Sequence, residues 1–138
     1  MPKTTEDLEA RNKQSEDSKR ATFDSLKNKK RKEREVVIKT GDDEISLLLR
    51  AIGYQDYDKL ITKNPPTQEQ KADGSYYDIN EFGPELLSKV CIDPLLTKKE
   101  WKEIWNSEDW SKGEMSDLFM VTASLCNKGL DIPLSDQG

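Results

Sequence analysis

Only six of the first 33 residues are apolar, against 37 of the 95 that follow, and this asymmetry decides where a core can form. Burial of apolar surface must offset the entropy lost when a chain is ordered. Met1, Leu8, Ala10, Ala21, Phe23 and Leu26 are too few to do that for residues 1–33, which are expected as a charged N-terminal arm, flexible or helical, and mobile when alone. Residues 34–128 reach ordinary apolar density and are expected to form a single globular domain, followed by a tail over 129–138.

Charge divides the same way. Residues 1–35 carry eleven Lys or Arg and eight Asp or Glu, and the remainder carries eleven and nineteen. An acidic body is a poor general binder of nucleic acid, where affinity depends on neutralising phosphates, and it is disfavoured at anionic membranes. No run approaches the roughly 18–20 apolar residues that cross a bilayer. The start, Met1-Pro-Lys-Thr-Thr-Glu-Asp-Leu8, lacks the apolar centre of a signal peptide. Cys91 and Cys126 both lie in apolar-periodic segments and read as reduced core thiols of a cytoplasmic protein.

Local chemistry then orders the elements. Residues 5–27 read as a weak, highly charged helix whose Leu8, Phe23 and Leu26 are too sparse for a continuous stripe. The basic run Lys27-Asn-Lys-Lys-Arg-Lys-Glu-Arg34 reads as a solvated linker, or as a contact for RNA, DNA or an acidic protein. Glu35–Lys39 is a β-branched strand, Gly41-Asp42-Asp43 a turn, and Glu44–Ile52 the return strand, with Ile45, Leu47, Leu49 and Ala51 on one apolar face. Past Gly53, the residues Tyr54, Tyr57, Leu60 and Ile61 recur at helical spacing until Pro65-Pro66.

Three capping-box spacings punctuate the rest: Thr67–Gln70, Thr97–Glu100 and Ser111–Glu114. The first begins a brief turn that ends near Gly74. Residues 76–82 read as a loop or short turn, after which Gly83-Pro84 begins a helix with Leu86, Leu87, Val90 and Cys91 inward, ending before Asp93-Pro94. Trp101, Ile104 and Trp105 share a face of the next helix, and Leu118, Val121, Thr122 and Leu125 share a face of the last, with Gly129 as its cap. The expected class is α+β, mostly α: a small N-terminal β-hairpin packed on a bundle of four to five short helices.

The chain has no histidine, which removes the commonest general base and the commonest transition-metal ligand. Two isolated cysteines cannot build a structural zinc site, and no phosphate loop, dinucleotide fingerprint or nucleophile elbow is present. The acidic turn Asp42-Asp43-Glu44 lacks the ligand spacing of a calcium loop. No catalytic, cofactor or metal residue is therefore expected. Trp101, Trp105 and Trp110 are the densest contact potential: either all three are core, or one or two edge onto a partner-binding groove. Phe119 and Met120, off the main stripe of the last helix, are expected to be exposed beside them. The expected contact set is Trp101, Ile104, Trp105, Trp110, Leu118, Phe119 and Met120.

From residue 35 onward, the order of features resembles the tail assembly chaperones of siphophages. The pieces are Leu47–Tyr54 with Tyr57 and Leu60, Asn64-Pro-Pro-Thr-Gln-Glu-Gln70, Phe82-Gly-Pro-Glu-Leu-Leu-Ser88, Val90-Cys-Ile-Asp-Pro-Leu-Leu-Thr97, Trp101, and Asp117–Asn127. They span roughly two-thirds of the chain, and the ordered series rather than any single motif carries the likeness. The helices here use more Lys and Trp than the Ala/Leu-rich versions typical of that family, and no role passes to the arm. The resemblance implies binding and solubilising of the helical tape measure protein in the host cytoplasm, recruitment of tail tube protein, and absence from the mature virion. It also implies that the gene yields a longer product by programmed frameshifting, this chain being the shorter one. Two other readings stand beside it: a structural tail or tail-completion component of the virion, and a small nucleic-acid-binding regulator acting through residues 27–34.

Overall fold

The computed structural model describes residues 20–130, which fall in two compact units divided between Lys30 and Arg31. Most of the helix expected over residues 5–27 lies outside the described residues, as does the tail beyond residue 130 with Pro133. In the first unit, helix α1 (Phe23–Lys27) is opened by a reciprocal capping box between Thr22 and Ser25. Its Phe23 and Leu26 are exposed.

The second unit begins with β1 (Glu33–Thr40) and β2 (Asp43–Arg50), paired antiparallel with Thr40 opposite Asp43. Only Gly41 and Asp42 remain in the loop. Gly41 has φ +63° and Asp42 does not share that sign, the pattern of a tight hairpin turn with glycine first. Leu47 and Leu49 are buried on the inner face, with Val36 packed against the same core. Ile45 shares that face but is exposed, two residues from the hairpin turn.

Helix α2 (Tyr54–Lys63) follows and contributes Leu60 to the core. Helix α3 (Gln68–Ala72) carries the expected Thr67–Gln70 box. It closes in a Schellman arrangement, with Gly74 N–H on Lys71 O at 3.1 Å, Ser75 N–H on Gln70 O at 2.9 Å, and Gly74 at φ +86°.

Helix α4 (Ile79–Val90) corrects two expectations. It starts four residues before Gly83, because Asp78 is its N-cap: the Asp78 carboxylate accepts from Asn80 N–H at 3.1 Å and from Gln70 Nε2 at 2.9 Å. Pro84 therefore sits inside the helix, where it leaves the exposed Asn80 carbonyl without its usual donor four residues on. The helix ends at Val90, before Asp93-Pro94 as expected, but Cys91 is not on its inward face. Cys91 opens a third strand, β3 (Cys91–Asp93), whose pairing with β2 shifts register between Leu48 and Leu49 and makes β2 the central strand.

Helices α5 (Lys98–Trp105) and α6 (Lys112–Asn127) begin at the two remaining expected capping boxes. Helix α6 ends at Asn127 with Lys128 extended, and Gly129 takes no left-handed cap conformation. The architecture is α+β and mostly α, a sheet laid on a helical layer. Helix α4 is its centre, touching α2, α5 and α6, with Phe82, Leu86, Leu87 and Val90 fully buried. Among the described residues no helix is long and apolar enough to cross a membrane.

Candidate partner-binding groove

The three tryptophans take three different positions. Trp101 is 2% exposed and belongs wholly to the core, so it is not available to a partner. Trp105, one turn on, is half-buried and lies over α4 at Gly83. A Cβ added to Gly83 would stand 2.6 Å from Trp105 Cζ3 and 3.0 Å from Cζ2, with Cη2 closer still. Glycine is what lets the ring approach the helix. The indole N–H donates to Asn80 Oδ1 at 3.2 Å, and the ring meets Phe119 edge-on at 6.3 Å and 89°.

Phe119 is corrected from exposed to buried, at 6% exposure. Its ring lies 6.0 Å from Phe82 and 6.2 Å from Tyr77, and Tyr57 meets Phe82 edge-on at 5.6 Å. A side chain off one stripe of α6 is thus claimed by a second stripe of partners on α4 and the segment before it. Met120 is exposed as expected and lies outside the groove described below; Leu118 is core; Ile104 is half-buried against the core.

Trp105, Trp110 and Phe119 converge with Ile79, Asn80, Ser111, Lys112, Met115 and Ser116 on an open groove of about 350 Å³. Its floor is aromatic and aliphatic, and its rim is the start of α6 with Asn80. Of the nine lining residues, sequence reasoning anticipated Trp105, Trp110 and Phe119. Ile79 and Asn80 were missed because residues 76–82 read as a loop. Met115 had a legible signal: it stands four before Phe119, so both face the same way. A second cleft of about 290 Å³ lies on the other side of α6, between Val36–Lys39 of β1 and Trp110, Glu114, Asp117, Leu118 and Val121.

Behind the groove, charge fixes the helices to one another. Glu85, buried on α4, takes Lys63 Nζ at 2.6 Å and the Asn64 amide at 2.8 Å, with Lys98 Nζ at 3.8 Å. Glu81, one turn earlier, takes Lys102 at 2.7 Å and Lys98 at 3.3 Å. Burial pushes the Glu85 carboxyl up, but the Asn64 amide and the two ammonium groups outweigh it and hold the group below its ordinary value. Hydrogen bonds from Lys102 and Lys98 lower Glu81 in the same direction.

Cys91 is buried and Cys126 half-buried, both as free thiols, and burial raises both above their ordinary value. Such thiols are weak nucleophiles at neutral pH. Among the described residues no three His, Cys, Asp or Glu side chains are placed to hold a metal ion. What the groove offers is contact: aromatic area, one amide and a polar rim. Comparison of the chain with protein-family models, with curated proteins and with solved structures finds no match.

Proposed function

We propose that this chain is a tail assembly chaperone that shields the tape measure protein before tail tube subunits polymerise around it. The observation that supports this best is the half-open groove of Ile79, Trp105, Trp110, Met115 and Phe119. Aromatic side chains with one face packed and one edge open are favoured anchors, because they offer large area at little further entropic cost. A groove formed between helix ends suits the apolar stripe of an amphipathic helix, the helix-in-groove mode. The ordered resemblance over residues 47–127 names such a helix as tape measure. Binding that must yield to tube subunits is weak, on the order of −8 kcal/mol per site, or micromolar.

The test is co-expression with a tape measure protein, scoring its solubility and co-purification. Ser116→Arg fills the groove from an exposed position and leaves the core untouched. Tape measure should stay soluble with the wild-type chain and precipitate with the variant, while both chaperones keep the same melting temperature. Equal protection by the two would place the contact elsewhere, and no protection by either would end the chaperone reading for this product.

A further inference from the structure

The edge of β1 is built to meet another strand. Lys32 O accepts from Ala51 N–H at 2.9 Å, and the two-residue turn makes Thr40 and Asp43 a hydrogen-bonded pair. The even-numbered residues of β1 therefore aim their N–H and C=O groups at β2. Glu33, Glu35, Val37 and Lys39 aim theirs away, where no backbone partner exists among the described residues. On the outer face of the same strand Val37 is 52% exposed. Glu35 faces Leu48 and Lys39 faces Glu44 across β2, and neither charge makes an ion pair among the described residues.

We infer that this edge is a self-association surface, on which β1 of a second copy pairs antiparallel about a two-fold axis at Val37 to make one continuous six-stranded sheet. In that register Val37 meets its symmetry mate, and Glu35 stands opposite Lys39 of the second copy twice over. Each of these pairs joins residues whose backbone groups point outward, so the ladder closes without altering either hairpin. On the inner face Val36 and Ile38 of the second copy enter the cleft walled by Trp110, Leu118 and Val121. Moving the axis to Glu35 or Lys39 would put like charges directly opposite. A one-residue slip would set outward-pointing groups against inward-pointing ones. Charged edges usually prevent association; here the charges of one sequence complement themselves under a two-fold, the symmetry of the commonest oligomers. The surface shares only Trp110 with the groove, and the inference stands whether or not the chaperone reading does.

Sedimentation velocity of the full chain over a dilution series at low salt tests it. The wild type should show a reversible dimer. Glu35→Lys replaces both opposite-charge pairs with like pairs and alters no charge contact within its own hairpin. It should raise the dimer dissociation constant by about thirtyfold, on the scale of cross-strand charged pairs. Glu35→Lys/Lys39→Glu/Glu44→Lys restores complementarity between the copies, keeps opposite charges paired at positions 39 and 44 within the hairpin, and should restore the dimer. Val37→Pro removes an N–H that points to solvent, so it should abolish the dimer with circular dichroism unchanged. A wild type that stays monomeric at every concentration overturns the inference. So does a dimer indifferent to Glu35→Lys, or a charge swap that fails to rescue; the charge series decides the matter if the proline variant does not fold.

Discussion

Gly83→Ala should destabilise the protein, although the same change in most helices does the opposite. Replacing an interior helical glycine by alanine ordinarily gains about 0.5–1 kcal/mol, because the glycine backbone loses more freedom on folding. At Gly83 the new methyl would stand 2.6 Å from Trp105 Cζ3. That is inside van der Waals contact, and the obstacle is a rigid bicyclic ring rather than a flexible tip. Either the helices separate, at about 1–3 kcal/mol for overpacking, or the indole swings out. Swinging out gives up the edge contact with Phe119, about 0.5–1.5 kcal/mol, and the hydrogen bond to Asn80, about 1 kcal/mol. Set against the propensity gain, the net loss is about 1–2 kcal/mol, or roughly 5–15 °C in melting temperature for a unit of this size.

Urea titrations followed by circular dichroism and tryptophan fluorescence would measure that loss. Gly113, in the first turn of α6, supplies the internal control. Its added Cβ would meet only Ser111 Oγ, at 4.0 Å, so Gly113→Ala should stabilise by about 0.5–1 kcal/mol. In a Trp105→Ala background the obstacle is gone, and Gly83→Ala should become favourable as well. If Gly83→Ala stabilised the wild-type protein as Gly113→Ala does, the packing of Trp105 on α4 would be refuted, and the groove with it.

Glu85→Gln should cost about 1–3 kcal/mol, because the buried acceptor of Lys63 and Asn64 loses its charge. The folded Glu85 carboxyl lies below its ordinary value of 4.5, so its contribution is fully present above about pH 4.5 and is lost as pH falls through the folded value. Thermal melts from pH 7 downward should accordingly show a shallower acid limb in the variant, and an unchanged limb would show that the pair does not form. Ser111→Ala removes the hydroxyl that accepts from Glu114 N–H at 3.1 Å, and should cost about 1 kcal/mol in urea titration. With a thiol reagent at neutral pH, half-buried Cys126 should react before Cys91, whose Sγ contacts Pro94 O at 3.2 Å; the reverse order would contradict the burial of Cys91.

Features governed by neighbours in sequence were legible from the chain. The glycine-led turn, one residue shorter than the 41–43 expected, the three capping boxes and the Gly74 termination each depend on residues a few positions apart, and each lies at or within one residue of where the spacing put it. The α+β class followed from them. What escaped was governed by distant residues. Asp78 becomes a helix cap partly because Gln70 holds its carboxylate, and a proline six positions into α4 is not a start signal once that cap exists. Strand β3 is three residues long, too short for any alternation to show, and depends on β2. Phe119 looked exposed because only one stripe of α6 was counted, while Tyr77, Phe82 and Trp105 bury it from another direction. The pairing of Glu81 and Glu85 with Lys98 and Lys102 likewise depends on α4 and α5 lying side by side, which no local spacing reports.

Strand β3 also has a consequence for the order in which the molecule assembles. Its few residues pair with β2 only after the intervening chain, three helices long, has looped back. Closing a loop of some forty residues costs about 3 kcal/mol before any bond is made. The hairpin and the capped helices are local and can form without that penalty. We therefore expect the β2–β3 pairing to lie beyond the folding barrier, so that Ile92→Ala accelerates unfolding and leaves the refolding arm of the chevron in place. A variant that slowed refolding instead would put this closure in the nucleus, and make a three-residue strand the gate through which the whole sheet has to pass.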